Sequence, residues 1–420
     1  MRTWAKCQNE SYVTYQCSRF PLLPPRMPLG TPPSVAAAAV SGGIDVYVAT
    51  SDHFGHGLFA LMERVLNQIH HARELGMEPY VYLGAYPWME PQACEYARSI
   101  YYTPAYGENT WEYWFTQPGS YRLGAATAQG RWVRSLQTSA VEIVTTQGPV
   151  TAYGRTDYYD HDRLGGSRLV AYDVLGELGE KLVRPKIRNA ALELFAEWRE
   201  RSAHVMGVHL RGTDKVVRKK VPPHAYFPFM EAYLATYRDA LFVVATDDRE
   251  YLQRVLARFG PGTRLGGAKG RVLRRAQTQL YARDPFGEGG RRGGYLKGED
   301  VLIDALLLAQ CDFLLKSASA VAEFALWVRP RLRTHHLDLQ VVDRFATQAL
   351  PRWVYARFGR DRRSVAAVFC DTLASACANE TVPKYGGPKY CNHCEPEKPA
   401  AALSGRAHAA ADRARARYRG

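Results

Sequence analysis

The sequence predicts an α/β protein made of two similar units, and two observations lead to that prediction. In the first half, the β-branched run 44–50 leads through a glycine turn into a segment with helical spacing, and a second apolar run follows at 78–83. In the second half, apolar runs at 203–210, 240–246 and 311–315 each lead through a polar turn into another helical pattern. Apolar runs that alternate with helices in this order favour parallel sheets with helices packed on their faces.

Each predicted element has a local reason. Short β-branched runs without alternation are typical of strands buried on both faces, and apolar residues at spacings of three and four indicate the helices. Pro185 marks the start or a kink of one charged amphipathic helix, and acidic residues, Asp247 and Glu299 among them, open two others. The expected helices are 58–70, 177–201, 226–237, 249–259, 298–310 and 320–328.

The length of the chain predicts its division into domains. A protein of 420 residues exceeds one ordinary core, because a domain takes ~150 residues. We therefore expect a proline-rich, disordered leader, two α/β domains, and an extension that ends in a basic tail. The boundaries are 1–42, 43–200, 201–350 and 351–420.

Composition and charge limit the class of protein and its partners. Hydrophobic residues make up 46% and charged residues 23% of the chain, as in soluble globular enzymes. The net charge of +14 favours anionic ligands. The basic, glycine-rich insert 266–297 has no zinc spacing, aromatic RNA-binding signature or recognition helix, so we expect no nucleic-acid partner and predict a loop outside the core fold. No apolar run reaches the ~18 residues of a membrane span.

Three loops of the second half carry the candidate ligand-binding residues. They are 209–215, 246–248 and 316–319, and each follows a predicted strand, where ligands of parallel sheets bind. Arg211 suits a two-pronged grip on phosphate, and two serines of the third loop precede a helix whose first N–H groups favour anions. Taken separately, such an arginine is more often in a surface ion pair, and such a serine is an ordinary N-cap. Together they predict a site for a phosphorylated ligand.

In order and spacing, the three runs resemble the motifs of the fucosyltransferase superfamily, which includes core α1,6-fucosyltransferases, rhizobial nodulation fucosyltransferases and protein O-fucosyltransferases. The first run, 208–215, matches the core His-x-Arg-x-x-Asp-Lys, the second is 243–248 and the third is 300–319. The resemblance covers 205–330 closely. In the first half it is limited to the glycine turn 54–57 and the general layout.

The resemblance implies two facing Rossmann-like domains in a GT-B-like arrangement, the first on the acceptor side and the second binding the nucleotide sugar. It implies an inverting, metal-independent transfer of fucose from GDP-fucose to a hydroxyl of a glycan or glycoprotein, with no cofactor. A transferase that uses another nucleotide sugar and a catalytically inactive nucleotide- or glycan-binding relative are the alternatives. For a eukaryotic enzyme of this kind we expect the Golgi or another secretory lumen, although no signal or anchor segment is visible in the sequence.

The same resemblance implies a role for each matched motif position. Arg211 would bind the β-phosphate and stabilise the departing GDP, and with Asp214 and Lys215 it would form the catalytic group. No metal ligand is implied. The implied donor-binding residues are His209 and Asp304 at the guanine, Ser317 and Ser319 at the diphosphate, Asp247 and Asp248 at the edge of the pocket, and Gly55 and Gly57 at the glycine turn.

Two motif positions differ from the α1,6-type enzymes. Gly212 stands where they carry a second arginine, and Lys219 stands where they carry the glutamate taken as the base. The identity of the base is therefore open. Asp214 and Lys215 are not obvious bases, since a lysine needs a strongly shifted pKa for that role. The alternatives on the facing glycine turn are Asp52, His53 and His56.

Two further features are ambiguous. The aromatic segment 106–115 either packs in the core and between the domains or forms a surface on which an acceptor sugar stacks. Cys391 and Cys394, with Cys370 and Cys377 nearby, are free thiols, the bridges of a disulfide-tied tail or part of a zinc site.

Overall fold

The structure is a computed structural model, and the part of the chain that it describes falls into several stretches. These are residues 46–49, 57–74, 76–83, 101, 103–107, 109–120, 132–134, 179–212, 221–275, 294–317, 319–339 and 351–358. Within them, no helix has the length and apolarity needed to cross a membrane.

The described elements alternate between strand and helix through most of the chain. In order they are β1 (Val46–Ala49), α1 (Leu58–Glu74), β2 (Glu78–Val81), β3 (Trp132–Arg134), α2 (Pro185–Arg199), β4 (Val205–Leu210), α3 (Phe227–Thr236), β5 (Leu241–Thr246), α4 (Arg249–Phe259), β6 (Val272–Leu273), α5 (Gly294–Gln310), β7 (Phe313–Lys316), α6 (Ala320–Val328), β8 (His336–Asp338) and α7 (Arg352–Phe358). Single 3-10 turns lie at Pro104–Tyr106, Thr110–Tyr113, Gly179–Leu182, Pro223–Ala225 and Pro330–Arg333.

The strands form two sheets, and every pairing within them is parallel. The first sheet has three strands in the order β2-β1-β3, and the second has five in the order β6-β5-β4-β7-β8. All residues of the central strands β4 and β5 are buried, as expected for strands covered on both faces. The predicted α/β class with parallel sheets is confirmed. The facing arrangement of two domains and their boundaries stay predictions.

The second sheet has a different apolar core on each face. Alternate residues such as Val205, Val243 and Leu314 pack with α1, α2, α5 and α6, whereas Met206 and Phe242 pack with α3, α4 and α7. The first of these cores also contains α1 and residues of β1 and β2, so it extends from the three-stranded sheet to the five-stranded one.

One ring stack and one glycine show how closely the two halves pack. The rings of Phe59 in α1 and Phe324 in α6 stack with centroids 4.5 Å apart. A Cβ on Gly298 of α5 would lie 2.1 Å from the Trp114 ring, so only glycine lets this helix approach the aromatic segment.

The aromatic segment 106–115 is mostly core. Trp111, Tyr113, Trp114 and Phe115 are buried, which confirms the packing interpretation for these four side chains. The neighbouring backbone is tied to the turn before α2, since the Arg184 N–H donates to the Trp114 carbonyl at 2.8 Å. Tyr106 differs, because it is 52% exposed while its ring stacks on that of Tyr295.

The prediction of a loop outside the core at 266–297 is wrong at both ends of the insert. Val272 and Leu273 form β6, which pairs with β5, and Leu273 is buried. Two apolar residues suffice here because they only extend the edge of an existing sheet. At the other end α5 begins at Gly294 rather than Gly298, and the Tyr295 N–H donates to the Thr103 hydroxyl at 3.0 Å. Residues 276–293 lie outside the described part.

At the amino ends of β4 and β7, one carboxylate ties three elements together. Asp312 accepts hydrogen bonds from the Val205 N–H at 2.9 Å, from Arg331 at 2.8 Å and from Arg199. Burial alone would raise the pKa of the Asp312 carboxyl, but these hydrogen bonds outweigh it and lower the pKa below its usual value. This network lies at the end of the sheet opposite the predicted ligand loops.

Candidate functional site

The three motif loops meet at one edge of the five-stranded sheet. His209 of β4 pairs in register with Ala245 of β5 and with Lys316 of β7. Because the three strands are parallel and adjacent, the residues that follow them come out side by side at their carboxyl ends. The prediction that these loops form one site is therefore consistent with the sheet register.

Arg211 is held at this edge by a carboxylate. Its Nη1 lies 3.1 Å from Oδ2 of Asp247, and the other oxygen of Asp247 accepts the Gly212 N–H at 3.2 Å. The Arg211 side chain is 26% exposed and that of Asp247 is 19% exposed. Asp247 thus orients the guanidinium while leaving part of it open to an incoming anion.

Gly212 has a packing reason to be glycine. A Cβ at this position would lie 2.3 Å from the Cβ of Asp248 and 2.7 Å from its Oδ2. A second arginine after Arg211 would require the start of α4 to move. The packing of Asp248 against this position therefore requires glycine at 212.

Asp248 is the N-cap of α4. Its Oδ1 accepts the N–H groups of Glu250 at 2.8 Å and Tyr251 at 3.2 Å. Burial raises the pKa of Asp248, and these two hydrogen bonds oppose the rise without cancelling it. Asp248 therefore has a structural role as the cap of α4. The position of Asp248 at the edge of a nucleotide pocket stays a prediction.

The two serines of the third loop are buried, and the fold makes little use of their hydroxyls. Ser319 is 4% exposed and occupies the N-cap position of α6, yet its side chain makes no capping hydrogen bond. Ser317 is 2% exposed, and its Oγ has no hydrogen-bond partner among the described residues. The Tyr226 hydroxyl donates to the His209 carbonyl at 3.1 Å, and the approach of Ser317 to that hydroxyl opposes part of the rise that burial causes in the Tyr226 pKa. Ser319 thus occupies the N-cap position without the side-chain hydrogen bond of an ordinary N-cap, and its contact with a diphosphate stays a prediction.

The two residues expected at the guanine belong to one face of the five-stranded sheet. His209 lies on that face, and Asp304 lies on the helix that covers it. His209 is 4% exposed, and its position on β4 alternates with Val208 and Leu210, which face the other core. Asp304 is half-buried in α5, the helix that packs against β4 and β5. Their contact with a base stays a prediction.

Three buried ion pairs close to these residues were missed by the sequence analysis. Lys316 is fully buried, and its Nζ lies 2.7 Å from Glu323 of α6 and 2.6 Å from Asp338 of β8. Arg275, just after β6, lies 3.1 Å from Asp300 of α5. A sequence signal for the Lys316 pair exists. Lys316 ends the apolar run 313–315, and the next apolar helix carries one acid, Glu323.

Register places these charges in one line, which we call the polar row. Its members are neighbours across the sheet at the level of His209: Arg275, Ala245, His209, Lys316 and Asp338. Arg275 joins it because Leu273 pairs with Val243, so the residue two positions later is level with Ala245. The polar row lies one layer below the loops that carry Arg211, Ser317 and Ser319.

Several predicted site residues cannot be placed. Asp214, Lys215, Lys219, Gly55, Asp52, His53, His56 and the four late cysteines lie outside the described residues. Gly57 is exposed just before α1, and a Cβ there would meet no atom within 4 Å. Across the described stretches, no three His, Cys, Asp or Glu side chains gather as metal ligands do.

Comparison with known proteins gives only a distant likeness. No known family model matches the chain, and no curated protein matches it. The fucosyltransferase NodZ from Bradyrhizobium is 13% identical, with a TM-score of 0.32 over 67% of this chain and 92% of that one. NodZ alpha-1,6-fucosyltransferase soaked with GDP-fucose is 13% identical, with a TM-score of 0.33 over 68% of this chain and 93% of that one. Identities and TM-scores of this size do not establish a shared fold or a shared activity.

Proposed function

We propose that the protein is a glycosyltransferase that moves fucose from GDP-fucose to a hydroxyl of a glycan or glycoprotein, with inversion. One observation carries the proposal: the three motif loops come together at the carboxyl edge of one parallel sheet. There an oriented, partly exposed arginine, Arg211, directly follows β4, and the neighbouring strand β7 leads to two buried serines. Arginine and hydroxyl donors at this edge suit a diphosphate.

The proposed chemistry uses these groups to stabilise the leaving group. The acceptor oxygen attacks the anomeric carbon of fucose, and the bond from that carbon to the diphosphate oxygen breaks. GDP departs with the bonding electrons, and Arg211 neutralises the charge that develops on it. Ser317, Ser319 and the first N–H groups of α6 donate to the remaining phosphate oxygens. The acceptor proton passes to a base outside the described residues or to solvent.

The donor is proposed to bind without a metal, since Arg211 supplies the positive charge that the diphosphate requires. GDP alone should therefore raise the melting temperature, because a ligand that binds only the folded state stabilises it by mass action. The measurement is a thermal melt with GDP in the presence of EDTA and again with Mn²⁺. A shift that requires Mn²⁺, or an equal shift with UDP, would contradict this donor site.

A non-catalytic nucleotide-binding relative is the second candidate, and the observation that favours it is Lys219 in place of the expected glutamate. The two candidates separate in a donor screen with purified protein. Nucleotide release is measured from GDP-fucose, GDP-mannose and several UDP-sugars, with and without a glycan acceptor. Release from GDP-fucose alone supports the transferase. GDP binding without any release supports the inactive relative, and release from a UDP-sugar supports a different donor.

A further inference from the structure

Arg275 is a buried cation at the candidate site that has no role in the function proposed above. Its side chain is only 11% exposed. It follows β6 directly and reaches across the covered face of the sheet to Asp300 of α5, with Nη2 of Arg275 3.1 Å from Oδ1 of Asp300. The ion pair fixes the guanidinium from one side, since the Asp300 side chain is itself 9% exposed.

The other side of this guanidinium is unused. Nη1 of Arg275 is buried and has no hydrogen-bond partner among the described residues. A buried N–H donor without an acceptor costs roughly 1–3 kcal/mol, so native proteins rarely leave one unless it serves a ligand or a water. Arg275 therefore presents a fixed donor beside the polar row.

The position of Arg275 separates it from the diphosphate. The loops with Arg211 and Ser319 follow β4 and β7, whereas Arg275 follows β6, on the opposite side of β4 from β7. Neighbouring strands are about 4.8 Å apart, so β6 lies roughly 10 Å from β4. That separation offsets Arg275 from a phosphate held at β4 and β7. It suits the far end of a nucleoside diphosphate, where the base lies.

Resting on the proposed function, we infer that Arg275 is a specificity residue that reads the O6/N7 edge of the guanine in the donor. This edge of guanine carries two acceptors, and arginine is its commonest protein partner. Adenine presents an amino donor in place of O6, which would face the Arg275 N–H donors. Asp300, by holding Nη2, acts as the positioning residue for Arg275.

The test measures binding to the folded protein by titration calorimetry with GDP, IDP, ADP and inorganic pyrophosphate. The main variant is Arg275→Lys, which keeps a positive charge for Asp300 and so protects the fold, but loses the planar fork. A second variant, Arg275→Met with Asp300→Asn, removes both charges together. The matched control is Arg274→Met, which removes the neighbouring positive charge directly after β6 and leaves the pair of Arg275 with Asp300 in place.

We expect both Arg275 variants to bind GDP and IDP about fivefold to a hundredfold more weakly, because both bases carry O6 and N7. Pyrophosphate affinity should stay within about twofold of wild type, and the Arg274 control should bind all four ligands normally. Equal losses for GDP and pyrophosphate would make Arg275 a phosphate ligand and overturn the inference, as would unchanged GDP binding in both variants. If the wild-type protein binds no nucleoside diphosphate, the proposed function itself is overturned. If the wild type and the variants bind GDP equally well, only the role of Arg275 is overturned.

Discussion

Replacing Arg211 with alanine tests the leaving-group role directly. Asp247 holds the guanidinium at 3.1 Å, and both side chains are partly exposed. If the arginine stabilises the departing diphosphate, Arg211→Ala should remove a preorganised charge from the transition state. Losses of this kind lower turnover by about a hundredfold to a thousandfold, which is roughly 2.7–4 kcal/mol in the barrier.

The same change should have a small effect on stability. A partly exposed ion pair contributes about 0–1 kcal/mol, and Asp247 keeps its hydrogen bond from the Gly212 N–H after Arg211 is removed. The melting temperature should therefore fall by no more than roughly 4 °C. The predicted loss of turnover is several times larger in free energy than the predicted loss of stability, so the two roles of Arg211 can be separated.

The assay is GDP release from GDP-fucose, measured together with the melting temperature of each variant. Arg211→Lys should restore little turnover, because an ammonium group cannot reproduce the two-pronged contact. Arg254→Ala is the matched control, since it removes a positive charge and an exposed pair with Glu250, 2.7 Å apart, on α4. A well-folded Arg211→Ala protein with near-normal turnover would show that this arginine only holds the loop to Asp247.

Three further predictions concern the stability of the fold. Lys316→Met should lower the free energy of unfolding by about 3–5 kcal/mol, because it removes the buried cation that Glu323 and Asp338 share. Neutralising both carboxylates as well should recover most of that loss in urea denaturation. Asp312→Asn should cost about 1–2 kcal/mol at neutral pH. Folding lowers the pKa of Asp312, so this stabilisation is complete above the unfolded-state pKa of about 3.9 and is lost as the pH falls through the folded-state pKa. The stabilities of the wild type and of Asp312→Asn should therefore converge during an acid titration. Gly298→Ala should lower the melting temperature despite the better helix propensity of alanine, because the new Cβ would clash with the Trp114 ring. The control is Gly57→Ala, which should leave the melting temperature unchanged because a Cβ there meets no atom within 4 Å.

The sequence predicts well where a local signal determines an element. The helices Arg249–Phe259 and Ala320–Val328 begin and end as expected, because each follows a polar turn and carries an apolar face. The strands β4 and β5 lie within the apolar runs that predict them. The three ligand loops follow from those strands, since the carboxyl ends of parallel strands share one edge.

The sequence fails where structure depends on distant partners. β6 has two residues, too few for any periodic signal, and exists because β5 offers an unpaired edge. The burial of Lys316 depends on Asp338, whose strand pairs with β7 only after a helix has crossed the sheet. The absence of a capping hydrogen bond from the Ser319 side chain is likewise invisible in the sequence, where a serine before a helix predicts a cap.

The charged side chains of the polar row lie on a face of the sheet that would ordinarily be apolar. A parallel sheet covered by helices normally buries apolar side chains on both faces, and a lone buried charge is costly. Here Arg275 is paired with Asp300, and Lys316 is paired with Glu323, so neighbouring helices supply the compensating acids. Such pairs add little net stability compared with apolar side chains of similar size. They do fix the direction of each charged group and of the loop that follows it. A layer of fixed charges directly below the predicted ligand edge is therefore better explained by the proposed site than by the packing of the core.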